Sequence, residues 1–521
     1  MFKTFRNPIL SGFYPDPSIC RDGDDYYLVT STFEYFPGLP IFHSNDLVNW
    51  RQIGHVLDRP SQLELDEIRP SGGLYAPTIR YSEGTFYVIC TLVDGKKRSG
   101  NFIVTATDPA GPWSEPNWLE HAPGIDPSLL FDDDGRAWYC SNRMAVNSQF
   151  EGHTEIYVQE LDLAHMKLVS EPVVIWDGAV KGAVWSEAPH IYKINGYYYL
   201  LTAEGGTAHH HAVVIARSKI ITGPYEGNRG NPILTHRHLG LDFPIVGTGH
   251  ADIVQTQTGE WWMVLLAMRP YGGYYYNLGR ETFLAPVIWE DGWPIVSPGV
   301  GRVEFEHASP DLTPHLWQQV PAKDHFDDPV LAHQWNFLRT PREHFWSLSE
   351  RPGYLRLKLR PQTLSERANP SFVGRRQQHI NFSAQAAMSF SPANAQECAG
   401  LVLLQNNDFH FRFVVSQNEN GNQVVQLIER KAGLDSTLTE QPINGSDFTF
   451  KIEAQGQEYQ FFIAEETHKW QQVSESVDGR ILSTPIAGGF VGTFIGMYAS
   501  SNGQRSENFA DFDWFEYISK D

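Results

Sequence analysis

Three carboxylates and one imidazole occupy matching places in a segment that recurs along the first half of the chain. The copies are Asp16-Pro17-Ser18-Ile19, Ala76-Pro77-Thr78-Ile79, Asp126-Pro127-Ser128-Leu129, Ala188-Pro189-His190-Ile191 and His250-Ala251-Asp252-Ile253. Taking the Pro (Ala251 in the last copy) as reference, the steps are 60, 50, 62 and 62 residues. The residue before the reference is Asp16, Ala76, Asp126, Ala188 and His250, and Glu187 stands one place earlier in the fourth copy. If equivalent positions converge in space, three carboxylates share one cleft and cannot all keep ordinary pKa values. At least one is pushed up and keeps its proton near neutrality. One ionised carboxylate facing one protonated carboxyl is the equipment for cleaving a glycosidic bond by acid–base chemistry. The bland account is that Asp before Pro simply starts a turn. It serves for either Asp alone, and less well for the set with Glu187 and His250 at matching depth.

A second signal shows what positions these residues. Each copy is followed by a Gly-containing turn and an aromatic-rich run: Asp22-Gly23 before Tyr26-Tyr27, Glu83-Gly84 before Phe86-Tyr87, Asp134-Gly135 before Trp138-Tyr139, Asn195-Gly196 before Tyr197-Tyr198-Tyr199, and Thr258-Gly259 before Trp261-Trp262. Asp-Gly and Asn-Gly between apolar runs are strong hairpin signals, because both positions tolerate positive φ. Further strands are expected at 155–160 and 212–217. Repeating units of this length, each a small antiparallel sheet, predict a β-propeller of five blades over residues 1–308. In that architecture the first strand of every blade lines the axis, so the recurring position meets itself at one mouth of the channel. A β-sandwich with coincidental hairpins is the competing arrangement.

The repeat fades near residue 305. Pro310, Pro314 and Pro321 punctuate a connector at 309–323. Beyond it, runs of period two such as Tyr354–Leu359, Phe448–Ile452 and Ala510–Phe515 predict a β-sandwich of the jelly-roll or concanavalin kind over 324–521. The whole is all-β, and 521 residues demand at least two cores. Net charge is −21, with 40 Lys+Arg against 61 Asp+Glu and no basic block, which argues against nucleic-acid or anionic-membrane partners. Four cysteines without metal-like spacing read as small buried hydrophobes. Neither an apolar leader at the N-terminus nor a long apolar run is visible, so a cytoplasmic protein is expected. A homo-oligomer is compatible with everything above.

Asn7-Pro8-Ile9-Leu10-Ser11-Gly12-Phe13-Tyr14-Pro15-Asp16-Pro17-Ser18 resembles the opening of glycoside hydrolase family 43. Gly124-Ile125-Asp126-Pro127-Ser128 and Ser186-Glu187-Ala188-Pro189-His190 resemble its other two signature segments. Phe345-Trp346-Ser347-Leu348 and Arg351-Pro352-Gly353-Tyr354-Leu355 resemble the sandwich that accompanies its β-xylosidase branch. The resemblance implies an exo-acting, inverting hydrolase that releases D-xylose from xylooligosaccharides. Asp16 would be its general base, Glu187 its general acid, and Asp126 the group that raises and orients the acid. Arg280 matches a substrate-contacting arginine, the bland alternative being an ion pair with a neighbour such as Glu281. Phe33 and Tyr75 match aromatic walls of the sugar pocket, with Tyr75 standing where Trp is common. His250 falls at substrate, and at a place where the family can hold a hydrated calcium; no cofactor is expected for the chemistry. The triplet His209-His210-His211 lies on a loop before a strand and reads as a wet loop or as sugar hydrogen-bonding, since a zinc site needs further convergent ligands. An α-L-arabinofuranosidase or a bifunctional enzyme is the alternative activity, and a non-catalytic carbohydrate-binding propeller the alternative of another class.

Overall fold

In a computed structural model, residues 4–465 and 469–521 are described. Five antiparallel sheets of four or five strands follow one another along the first half, with inner strands Ser18–Asp22, Thr78–Ser82, Ile125–Phe131, Glu187–Ile194 and Val246–Gln255. Each inner strand packs on the next, and the last packs on the first, so the sheets close into a ring around an axis. This is a propeller. The turns are local chemistry: Asn195 (φ 48°) and Gly196 (φ 76°) both take the positive φ that a tight hairpin needs. Blade strands Thr154–Asp162 and Ala212–Ser218 cover the runs expected at 155–160 and 212–217. The ring is further closed at its chain ends, where Thr4–Arg6 pairs with Glu306–Ala308 and Asn7 bonds the backbone of Leu284 and Glu304.

The second half is two packed sheets. One has six strands, ordered Ser371–Arg376, Phe494–Ser500, Cys398–Asn406, Phe409–Gln417, Gln423–Lys431 and Leu434–Pro442. The other is centred on Phe509–Ser519, Phe382–Ser389, Asp447–Gln455 and Glu458–Ala464. Their inner faces interdigitate through buried rings; Phe413 meets Phe450 at 4.9 Å and Phe461 at 5.4 Å. Period-two burial along Asp447–Gln455 is what its alternating sequence requires.

The two halves are joined by backbone pairing as well as side chains, which no local pattern announces. Phe337-Leu338, within the sandwich half of the sequence, pairs instead with Tyr35-Phe36 of the propeller. The fully buried Arg339 donates to the Ile68 carbonyl through Nε at 2.9 Å and Nη2 at 2.6 Å, and also to Ala368 O and Asn407 Oδ1. The connector folds back onto the first blade: Trp317 donates to Asn49 O at 3.0 Å, and Arg51 lies 4.0 Å over its ring. No helix among the described residues is long and apolar enough to cross a membrane.

Candidate active site

The recurring position is a backbone kink in four of the five blades. Asp16, Asp126, Ala188 and His250 have φ of 54°, 53°, 51° and 47°. Non-glycine residues in this left-handed region are strained by about 1–2 kcal/mol each, and such strain concentrates where side chains must be aimed. In the last three of these strands a bulge interrupts the register beside the kink, between Ile125 and Ser128, Glu187 and His190, and Gly249 and Asp252. A bulge re-aims the side chain next to it. Ala76, in the second blade, is the one copy without the kink.

Asp16, Asp126, Glu187, His250, Arg280, Phe33 and Tyr75 all line one narrow cavity of ≈ 80 Å³ at the mouth of the axis, together with Ala76, Ile125, Thr207 and Phe490. A larger groove of ≈ 530 Å³ runs along Gln255, Trp261 and Trp289. Its one carboxylate, Glu260, is already bonded to Trp262 Nε1 and Asp311 N, so we place the chemistry in the smaller cavity.

The three carboxyl groups are buried in different electrostatic surroundings. Burial alone would raise Asp16, but the Arg280 guanidinium reverses this, helped by His250, the Ser31 hydroxyl and His211; the net result is a lowered pKa. Arg280 Nη1 donates to Asp16 Oδ1 at 2.8 Å and Nη2 to Oδ2 at 3.4 Å, Ser31 Oγ donates to Oδ2 at 2.6 Å, and His250 Nδ1 lies 3.7 Å from Oδ1. Glu187 has no such partner among the described residues. Burial, with the negative charges of Asp126 and Asp16, drives its pKa well above the ordinary value, and Arg280 offsets little of that. Asp126 lies between these extremes: burial raises it, His250 lowers it, Asp16 raises it, and Oδ2 accepts the Ala188 N–H at 3.1 Å. The surroundings therefore favour the ionised form at Asp16 and the protonated form at Glu187.

Aromatic rings close the cavity. Phe33 lies 5.1 Å from Tyr75 and stacks on Phe490 at 5.7 Å, while the Arg280 guanidinium sits 5.5 Å over both Phe33 and Phe490. Phe490 belongs to the sandwich half. It reaches the site because Gly492 presses against the loop that carries Arg280: a Cβ on Gly492 would meet Leu278 O at 2.6 Å, and one on Gly279 would meet Gly492 N at 2.9 Å. Phe490 N donates to Ser71 Oγ at 2.8 Å, and Thr493 N to Asn277 O at 2.8 Å. Glu281 pairs with Arg269, at 2.7 Å, while Arg280 turns inward to Asp16.

The histidine triplet divides. His211 is not in a wet loop: it is fully buried, packs on Gly249, and donates from Nδ1 to Gly247 O at 3.1 Å. Burial lowers its pKa to about 3, so the ring is neutral, and its Nε2 has no partner. Below the cavity the inner strands are bolted together. Arg80, on the second, donates to Asp252 on the fifth at 2.8 Å, to Ser18 on the first at 3.3 Å, and is 2.9 Å from His190 Nδ1 on the fourth. Thr78 completes the ring by donating to Pro127 O on the third. Ser18, His190 and Asp252 fall two or three residues beyond Asp16, Glu187 and His250, and Pro127 one beyond Asp126.

A propeller whose axial mouth gathers three buried carboxyl groups in an aromatic-walled pocket is equipped as a glycoside hydrolase. The profile of glycosyl hydrolases family 43 matches residues 5–294, and that of the β-xylosidase C-terminal concanavalin A-like domain matches residues 323–518. The chain belongs to glycoside hydrolase family 43. It is 48% identical to a xylosidase/arabinosidase of Butyrivibrio fibrisolvens, over 98% of both chains. It is 44% identical to a non-reducing end alpha-L-arabinofuranosidase of Bacteroides ovatus, over 99% of this chain and 95% of that one. A xylan beta-1,4-xylosidase structure from Bacillus halodurans superposes with a TM-score of 0.93 at 38% identity, covering 98% of this chain and 99% of that chain. Members of this family need no cofactor for their chemistry.

Proposed function

We propose that the protein is an exo-acting, inverting β-D-xylosidase that releases D-xylose from the non-reducing ends of xylooligosaccharides. The observation that carries this reading is the gathering of three carboxyl groups in one aromatic-walled pocket, with Asp16 bonded to Arg280 and Ser31 and so favoured as the ion, and Glu187 buried beside Asp126 and so favoured as the acid. A terminal sugar enters with its anomeric carbon between them. Asp16, as general base, takes a proton from a water that attacks the anomeric carbon. Glu187, as general acid, gives its proton to the departing glycosidic oxygen. Asp126 keeps the acid's pKa high and is tied to the Ala188 N–H next to it. Arg280, besides holding Asp16, offers its fixed fork to substrate hydroxyls. Phe33, Tyr75 and Phe490 close the far side, which suits one terminal sugar and hence exo action. The relatives named for xyloside cleavage support the substrate. The Bacteroides ovatus relative supports a second reading, α-L-arabinofuranosidase or bifunctional activity.

Rates on aryl β-D-xylopyranoside and aryl α-L-arabinofuranoside, with the first product anomer followed by NMR, test both. We expect α-xylose first from the β-xyloside. β-Xylose first would refute inversion, and turnover of neither glycoside would leave a binding propeller. The same reading places a water-clad divalent cation near the axis, held by His250. Asp16 oxygens there are committed to Arg280 and Ser31, but the orphaned, buried Nε2 of His211 is a free lone pair in the same region. Such a cation would further favour ionised Asp16, and no step passes through it. An unchanged rate after chelation and calcium readdition would remove it. The four cysteines are unpaired and buried, which supports a reducing, cytoplasmic setting.

A further inference from the structure

We propose that Trp185 is the platform for the sugar on the leaving side of the scissile bond. The assignment rests on the exo-hydrolytic reading above and names the part of the same site that takes the departing xylose. Trp185 stands two residues before Glu187, and its backbone is in the left-handed region, with φ 52°. A bulky aromatic there is strained, so the surroundings must hold it in place. They do: its N–H donates to Gly152 O at 2.7 Å, and Gly205 N–H donates to Val184 O at 2.8 Å. The segment is thus clamped between a loop of the third blade and a loop of the fourth.

The indole rests on two glycines. A Cβ on Gly152 would lie 2.9 Å from Trp185 Cε2, and one on Gly206 would lie 3.3 Å from Cδ1. Yet Trp185 remains 41% exposed, in a molecule whose core tryptophans, such as Trp113 and Trp335, are 3% and 2% exposed. Thr207, next to Gly206, lines the catalytic cavity and accepts from Arg280 Nη1 at 3.1 Å. One of the two glycines that the ring rests on is thus one residue from the cavity lining, and Trp185 itself is two residues from Glu187, the group that protonates the departing oxygen. The departing sugar leaves past that carboxyl. A pyranose ring presents an apolar C–H face, and an open, rigid indole is the surface that such a face stacks on.

The test compares xylobiose with methyl β-D-xylopyranoside. Both need a protonated leaving oxygen, but only xylobiose puts a sugar over the indole. Trp185→Ala is expected to lower kcat/KM for xylobiose about tenfold while methyl xyloside changes less than about twofold, and Trp185→Phe is expected to keep most of the xylobiose rate. Parallel losses on both substrates would mean that Trp185 only positions Glu187, and would overturn the assignment, as would an unchanged xylobiose rate. A wild-type protein inert toward both xylosides would overturn the β-xylosidase reading, and the assignment with it.

Discussion

Replacing Asp126 by Asn removes one negative charge from beside the acid and leaves the shape of the side chain intact. The amide oxygen of Asn can still accept the Ala188 N–H, now bonded at 3.1 Å to Asp126 Oδ2. That bond puts the Asp126 carboxylate next to the residue that follows Glu187, and two unit charges brought to about 5 Å at an effective dielectric of about 20 interact by about 3 kcal/mol. Asp126 is itself raised by burial and shares its charge with the pair, so the realised shift is smaller than that full interaction. The sign follows from the role. Glu187 works protonated and its pKa sets the alkaline limb of the rate profile; a neighbour made neutral lowers that pKa, and the limb moves to lower pH. The acid limb belongs to Asp16, whose shift comes from Arg280, His250, Ser31 and His211, and it stays where it was. The expected result is a narrower bell in kcat for xylobiose, with the loss concentrated on its alkaline side. An aryl xyloside with a good leaving group should feel the change less. An alkaline limb that stays fixed, or moves up, would refute this division of charge.

Glu187→Gln is expected to slow xylobiose hydrolysis by about 10²–10⁴-fold while sparing activated aryl xylosides, read from kcat on both; equal loss would deny Glu187 the acid's role. Phe490→Ala removes the wall supplied by the sandwich and should lower kcat/KM for xylobiose about tenfold with little change in thermal midpoint. An unaltered kcat/KM would mean that the second domain adds nothing to the pocket. Arg80→Met leaves Asp252 buried without its cation, and should cost about 3–5 kcal/mol in denaturant unfolding, part of it recovered by adding Asp252→Asn. Stability like that of the wild type in the single variant would contradict the axial network.

The propeller was legible in the sequence because its signals are local. Asn195-Gly196 and the runs on either side of it describe a hairpin without reference to anything distant, and five such hairpins in order describe a ring. The contents of the pocket were legible only where they ride on that repeat. Phe490 lies on another domain and reaches Phe33 through the bare backbone contact of Gly279 with Gly492, which leaves no periodic trace. Ser31 and Thr207 are small polar residues on turns, of a kind found all over the chain, and only their distances to Asp16 and Arg280 single them out. His211 was misread for a related reason. A histidine in a run of three looks solvated, and its burial depends on Gly249 of the neighbouring blade leaving room for the ring.

The one-residue displacement of the acid has a backbone cause. In the first, third and fifth blades the left-handed residue itself carries the ionisable side chain: Asp16, Asp126 and His250. In the fourth blade Ala188 takes the left-handed conformation, and Glu187 is the first residue of the strand, ahead of the bulge. Side chains alternate along a strand and a left-handed residue interrupts that alternation, so Glu187 departs from the backbone in a different direction from the two aspartates. A base and an acid that act on opposite faces of one sugar need that difference. The kink residue between them is small for its own reason: its N–H must stay open to Asp126 Oδ2, and a methyl group next to that N–H leaves the approach clear. Moving the acid to position 188 would align it with the aspartates and place its own carboxyl beside the N–H that Asp126 uses, so the two features, displaced acid and small kink residue, are one requirement.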